Sequence, residues 1–239
     1  MDVVVFRYHG RFAHFLRAET TVNAMTYPVP PRTVIFGLIG AVLGLPKDCA
    51  QEELTSARIA VAGKIPSTFW HKTNMRKNLP APLAFQVKKN EKGTSKDEKN
   101  TRIPQEFLWK PSFRVFVSLP DRFHHEFANR VEERRWHFSP CMGLSELLAN
   151  LEWEQNLTAT QLGSEVQYVN SVVPLDRCKL DSQTAYSSSL ALHKVRMPRD
   201  VTRDRVFTHA NYVLERDGQP IPVESDQAWQ VGDEKVIFL

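Results

Sequence analysis

Tyr27-Pro28-Val29-Pro30-Pro31-Arg32-Thr33-Val34-Ile35-Phe36-Gly37-Leu38-Ile39-Gly40-Ala41-Val42-Leu43-Gly44 contains a change of backbone state. The prolines at 28, 30 and 31 cannot continue a helix, so Tyr27 to Pro31 must run extended. Proline is tolerated in the first turn, which predicts a helix beginning near Pro31-Arg32-Thr33. Gly37, Gly40 and Gly44 recur at helical spacing on one face, where missing side chains permit close packing against a sheet or another backbone. Val34, Ile35, Leu38, Ile39, Val42 and Leu43 supply the apolar surface around that face. Neither GxGxxG nor a glycine-lysine-serine/threonine sequence follows, which excludes a phosphate-binding P-loop. The apolar run Val34–Leu45 is too short to span a bilayer.

Upstream, Val3-Val4-Val5-Phe6-Arg7-Tyr8 reads as a strand of β-branched and aromatic residues. Arg7, His9, Arg11, His14 and Arg17 then interleave with Phe6, Tyr8, Phe12 and Phe15. This is either a strand with one polar face or a surface where guanidinium groups meet phosphates and rings stack on bases. Downstream, Ala57–Ala62 is a second strand. From Trp70 the composition turns basic (Trp70, His71, Lys72, Arg76, Lys77), and 86–104 is poor in apolar residues. That segment carries Lys88, Lys89, Lys92, Lys96, Lys99 and Arg102 against Glu91, Asp97 and Glu98, as a solvated loop or as one that orders on a polyanion. Strands resume at Phe107-Leu108-Trp109 and Phe113–Leu119.

Asp121 is placed to cap a helix whose Phe123, Phe127 and Val131 form a buried stripe. His124, His125 and Glu126 beside it lack HExxH spacing and read as a solvated face. After Phe138-Ser139-Pro140-Cys141-Met142-Gly143, Leu144, Leu147, Leu148 and Leu151 recur at helical spacing. Gly143 at that entrance would either make the turn or let backbone N–H groups meet a phosphate. Short strands follow over 166–173, 206–214 and 236–238, with Asp217-Gly218 as a hairpin turn and Arg196, Arg199, Arg203 and Arg205 as a basic linker. The order of elements predicts an α+β protein with a small β-rich tail domain.

The chain has 239 residues, 42% of them apolar and 24% charged, which excludes disorder as its main state. Lys and Arg total 31 against 27 acidic residues, a net charge of +4, and the pI near 9.0 suits an anionic partner. Cys49, Cys141 and Cys178 form no CxxC pair, which predicts free thiols in a reducing compartment rather than a disulfide framework or zinc ribbon. The opening Met1-Asp2-Val3 lacks a signal-peptide pattern, so the expected location is cytoplasmic, away from membranes. No G-x-S-x-G and no nucleophile–base spacing is visible among the eight histidines. The residues alone indicate binding of RNA or another polyanion.

Three segments, in this order and spacing, resemble the CRISPR-associated Cas-five family, the RAMP-type subunits of type I Cascade surveillance complexes. They are Tyr27–Thr33 running into Gly37–Gly44, Phe107–Val115, and Phe138–Leu144. The likeness covers about residues 1–150. It implies an α+β, RNA-recognition-type ferredoxin-like domain over 1–155 with a β-hairpin thumb near 70–106, and leaves 156–239 as a small β-rich domain. It further implies a non-catalytic subunit that caps the 5′ handle of the CRISPR RNA, beside a backbone subunit of the seventh Cas family and a large subunit. Target DNA would be met through the assembled complex, and no metal or cofactor is implied.

The candidate RNA contacts are Arg7, Arg11, Tyr27, Arg32, Trp70, Lys72, Arg76, Lys77, Lys88, Lys89, Lys92 and Gly143. The alternative is metal-independent processing of the precursor RNA, as in the type I-C branch, which uses tyrosine, lysine and histidine. In that branch the tyrosine lies near the end of the first helix, where this chain has Val42-Leu43-Gly44. Its lysine-histidine pair is met only in reverse, as His71-Lys72 and His193-Lys194. His9, His14 and His71 remain as an unrelated constellation that would have to serve as acid and base.

Overall fold

The computed structural model describes residues 1–20, 22–76 and 100–239. Its main sheet is built from β1 (Asp2–Gly10), β3 (Arg58–Ala62), β6 (Ser112–Ser118), β7 (Ala149–Gln161), β14 (Ala228–Val231) and β15 (Glu234–Ile237). The order is β15-β14-β7-β1-β6-β3, with every neighbouring pair antiparallel. The helix α1 (Arg32–Leu43) leads from β1 towards β3, and α3 (Asp121–Glu132) leads from β6 to β7; α2 (Ala50–Glu53) is a single turn between α1 and β3.

The unbroken apolar run of β1 follows from burial on both faces of the sheet. Val4, Phe6 and Tyr8 join the core under Ile35, Ile39, Phe127 and Val131, and Phe6 meets Phe127 edge-on at 5.7 Å. Val3 and Val5 look the other way, onto Val231, Val236 and Phe238. Of the expected glycine face, Gly40 makes a close approach, since a Cβ there would lie 2.8 Å from that of Ala50, whereas a Cβ at Gly37 would meet nothing within 4 Å. Gly44 ends α1 in the left-handed region with φ 78°.

A three-stranded sheet, β2 (Phe12–Ala13), β5 (Asn100–Trp109) and β4 (Thr68–Arg76), projects from this body in the order β2-β5-β4. The rest of the chain forms two more three-stranded sheets. One has β13 (Ile221–Glu224) between β10 (Lys179–Leu180) and β8 (Val166–Val169); the other has β12 (Phe207–Glu215) between β11 (Leu192–Val201) and β9 (Val173–Pro174). The short helix α4 (Ser182–Ser187) is capped by the Asp181 carboxylate, which accepts from the Thr184 amide. The boundary expected at 155 falls within β7. From beyond it, β14 and β15 extend the main sheet, and the Leu239 N–H donates to Ile59 O on the opposite edge at 2.8 Å. All three cysteines are free.

Several local expectations are corrected. The leucines at 144–151 do not form a helix. The Met142 N–H donates to Leu147 O and the Ala149 N–H to Pro140 O, closing a loop before β7 begins. Asp121 is the first residue of α3 rather than its cap; Pro120 holds the cap position without a side-chain bond. His124 is buried, and its Nδ1 accepts the Leu119 amide. Asp217-Gly218 does not join a hairpin, because β12 and β13 belong to different sheets; the Glu215 carboxylate accepts the amides of Asp217 and Gln219 and shapes that crossing. The basic linker is instead strand and ion pairs: Arg196 and Arg199 lie in β11, and Arg199, Arg203 and Arg205 face Asp176, Glu52 and Asp48.

Candidate nucleic-acid interface

Strands β4 and β5 are rich in aromatic and β-branched residues, and their antiparallel register sorts those residues by face. Phe69 stands opposite Phe107, His71 opposite Gln105, and Thr73 opposite Ile103. Phe12 of β2 stands opposite Trp109. Since side chains alternate along a strand, Phe12, Phe69, His71, Phe107 and Trp109 share one face.

The rings form a connected row: Phe12–Trp109 at 5.2 Å, Phe12–Phe69 at 5.5 Å, and Phe69 stacked on Phe107 at 5.6 Å with 21° between planes. His71 continues the row at 6.4 Å from Phe107. Trp109 stays 42% exposed, and the others are at most partly covered. Cations flank the rings, with the Arg11 guanidinium 5.3 Å from the Phe12 centroid and the Lys110 ammonium 5.6 Å from that of Trp109. Trp70, Lys72 and Arg102 are exposed on the other face of the β4–β5 pair.

The root of this sheet is polar. His14 Nδ1 lies 2.7 Å from Glu106 O, and burial lowers the imidazole's pKa despite that bond, leaving the ring neutral. The Glu106 carboxylate accepts the Thr26 amide at 3.1 Å, while its own N–H donates to Ala24 O. Residues 24–27 are thereby clamped across the base of the β4–β5 pair. Tyr27 sits within that clamp, 1% exposed, with burial and then Glu19 pushing its hydroxyl up to about 12.

The twelve sequence candidates therefore divide. Arg11, Trp70 and Lys72 are exposed on or beside the projecting sheet. Arg76 pairs in register with Asn100 at the end of the described β4–β5 pairing. Lys77, Lys88, Lys89 and Lys92 lie outside the described residues.

Arg7 is exposed but not free. Glu154, bulged out of β7 between the partners of Val5 and Phe6, binds it at 3.1 Å and also takes Arg114. Tyr27 belongs to the core. Arg32 is buried: it pairs with Asp200, donates to Thr55 O and Ala57 O, and lies 4.2 Å over Phe36. It fastens the start of α1 to β11 and leaves no donor fork for a phosphate.

Gly143 does not begin a helix. Its φ is 96°, and a Cβ would fall 2.0 Å from His14 O, so glycine is required there by the close approach of its loop to the chain beyond β2. Phe12, Phe69, Phe107, Trp109 and Lys110 are absent from the sequence candidates. The usable signal was a period of two, Phe69-x-His71 and Phe107-x-Trp109, on both sides of one basic insertion.

Such a face can stack unpaired bases on its rings while the flanking cations take phosphates. Among the described residues no cluster of His, Cys, Asp and Glu could hold a metal ion, and no helix is long and apolar enough to cross a membrane.

Residues 3–203 match the family described as CRISPR-associated protein (Cas_Cas5). Among solved structures the chain is similar to a CRISPR protein from Archaeoglobus fulgidus, with TM-score 0.55 and 14% identity over 100% of this chain and 99% of that one. It is also similar to a chain of a CRISPR RNA-guided surveillance complex, with TM-score 0.51 and 12% identity over 92% and 91%. At these identities the likeness bears on the fold. No curated protein matches the sequence significantly.

Proposed function

Because this chain belongs to the CRISPR-associated Cas-five family, we propose that it is the subunit of a type I surveillance complex that binds and caps the 5′ handle of the CRISPR RNA. The observation that carries this reading is the row Trp109–Phe12–Phe69–Phe107 with its flanking Arg11 and Lys110. Single-stranded RNA offers unstacked bases and a phosphate chain, which such a row and its cations complement. The order β7-β1-β6-β3, with α1 and α3 in the intervening connections, supports reading the core as ferredoxin-like. The β4–β5 pair, inserted between β3 and β6, supports reading it as the thumb.

A handle cap sits at one end of its complex, so the expected neighbours are the backbone subunit of the seventh Cas family and the large subunit. Target DNA is met only in the assembly. The role is binding without cleavage. Metal-free cleavage of RNA needs a base on the 2′-hydroxyl and an acid on the leaving oxygen. The end of α1 offers only Leu43 and Gly44, and His14 is occupied by a carbonyl.

Two measurements test this. Co-expression with the neighbouring subunits, followed by sequencing of retained RNA, should return CRISPR RNA with a common 5′ end. In titrations of that RNA, affinity should fall steeply with salt as condensed counterions are released. Retention of unrelated RNA without a common end would overturn handle binding. Site-specific cutting of precursor repeat RNA in the presence of a chelator, lost on His71→Ala, would replace the binding role with the processing one.

A further inference from the structure

A second concave site lies at the end of β3 remote from the hairpin. It is a cleft of about 480 Å³ lined by Arg58, Gln161, Arg177, Gln227, Trp229 and Phe238, a size within the roughly 300–1,000 Å³ typical of small-molecule sites. Three elements of distant sequence converge on it. Arg58 opens β3, Trp229 lies on β14, and Arg177 is in the connection between β9 and β10.

The charge of this cleft is met by no ion pair among the described residues, although Arg177 acts on the Asp176 carboxylate at longer range. Among the described residues neither Arg58 nor Arg177 is in an ion pair, although most other arginines are. The carboxylate nearest in sequence to Arg177, Asp176, is engaged by both terminal nitrogens of Arg199. Arg177 spends one nitrogen on Phe238 O at 2.9 Å, which steadies the side chain and leaves its remaining donors. The Arg58 guanidinium is held 5.0 Å over the Trp229 ring, and Phe238 meets that indole at 6.1 Å, so both the cation and the ring are positioned in advance. Gln161 donates its amide to Asp226 O, leaving its Oε1 as an acceptor; the Gln227 side chain makes no hydrogen bond among the described residues.

We propose that this cleft binds a nucleoside monophosphate unit, its phosphate taken by Arg58 and Arg177 and its base set against Trp229 within reach of the two glutamine side chains. A bare oxyanion would use the guanidinium forks but would leave the aromatic wall and the amide heads without a role. An acidic peptide would meet the charge but would leave the aromatic wall of Trp229 and Phe238 without a role. Two sources carry the same chemistry, a free mononucleotide and the phosphorylated end of a nucleic-acid strand. The site is separate from the hairpin face and does not depend on the role proposed for that face.

The test is equilibrium dialysis of the full chain against the four ribonucleoside monophosphates, with inorganic phosphate, a 5′-phosphorylated RNA trimer and an oligoglutamate peptide as competitors. Saturable binding of at least one monophosphate is expected, stronger than that of phosphate. It should weaken by about tenfold or more in Arg58→Ala, which removes one charge-assisted contact. Gln227→Glu, which places a carboxylate in the wall of the cleft without opening a cavity, should weaken it similarly. Circular dichroism melts of both variants should match the parent. Displacement by the trimer at equal or lower concentration than the mononucleotide assigns the site to a strand end; failure to displace assigns it to the free nucleotide. Phosphate binding as tightly as any monophosphate, preference for the peptide, or no saturable binding in the folded parent each overturns the proposal.

Discussion

Two regions of this protein place cations beside aromatic rings and use the pairing in opposite ways. At the start of α1, Arg32 lies over Phe36, but Asp200 and the carbonyls of Thr55 and Ala57 take its two terminal nitrogens, and the side chain is buried. On the projecting sheet, Arg11 and Lys110 lie over Phe12 and Trp109 with no carboxylate partner among the described residues, and the rings remain partly open. The difference is where the compensating charge comes from. Where the chain supplies it, the cation is a joint between distant segments. Where the chain does not, the cation and its ring form a surface for an external anion with apolar faces.

The sharpest break of this contrast is Gly143→Ala. Its Cβ would collide with His14 O and force a left-handed φ on a side chain, so a loss of about 3–4 kcal/mol is expected in urea titrations. Because the Gly143 loop seats the chain that follows Phe12, RNA affinity should fall with stability, coupling the two regions. Next is Arg32→Ala. Removing one partner of a buried pair costs more than a surface pair, and Asp200 is half exposed and can rehydrate, so about 2–3 kcal/mol is expected. RNA affinity of the folded variant should be unchanged, and a fall with unchanged stability would make Arg32 an RNA contact.

Trp109→Ala should do the reverse. Loss of one stacking ring is expected to cost about 1–2 kcal/mol of RNA affinity in anisotropy titrations, with little change in the melting curve because the ring is exposed. Equal affinity for parent and variant would remove the aromatic row from the interface.

The smallest effect concerns the neighbour of the buried joint. Hydrogen bonds from Arg199 hold the Asp176 carboxyl below its ordinary value of 3.8. A depressed folded-state pKa contributes stability that is present above the ordinary value and is lost as pH falls through the lower one. Asp176→Asn should therefore flatten the acid-side decline of stability below the ordinary carboxyl value of 3.8, by well under about 1 kcal/mol since the pair is half exposed. A parallel decline in both proteins would show that the pair contributes nothing measurable.

What could be read in advance follows physical range. The proline run before Arg32 and the uniform apolar character of Val3–Phe6 act within a turn or a strand, so α1 and β1 are legible in the sequence. The leucines at 144–151 carried a helical period, but Gly143 and the bonds from Met142 to Leu147 and from Ala149 to Pro140 impose a loop, and those depend on the packing of His14. The projecting sheet was legible as a basic insertion flanked by strands. Its aromatic row was not, because Phe12 joins Trp109 only through a register that spans the sequence between them.

By itself the sequence determined the α+β class, the bend into the first helix, the free cysteines and the family that the motifs resemble. These rest on propensities and spacings that act between near neighbours. Only the tertiary structure decided which cations are free. Arg7, Arg32 and Arg11 are equivalent in a sequence count, yet Glu154 and Asp200, each more than a hundred residues away along the chain, neutralise the first two and leave the third beside its ring. Electrostatic compensation depends on distance through space, and the fold alone sets that distance.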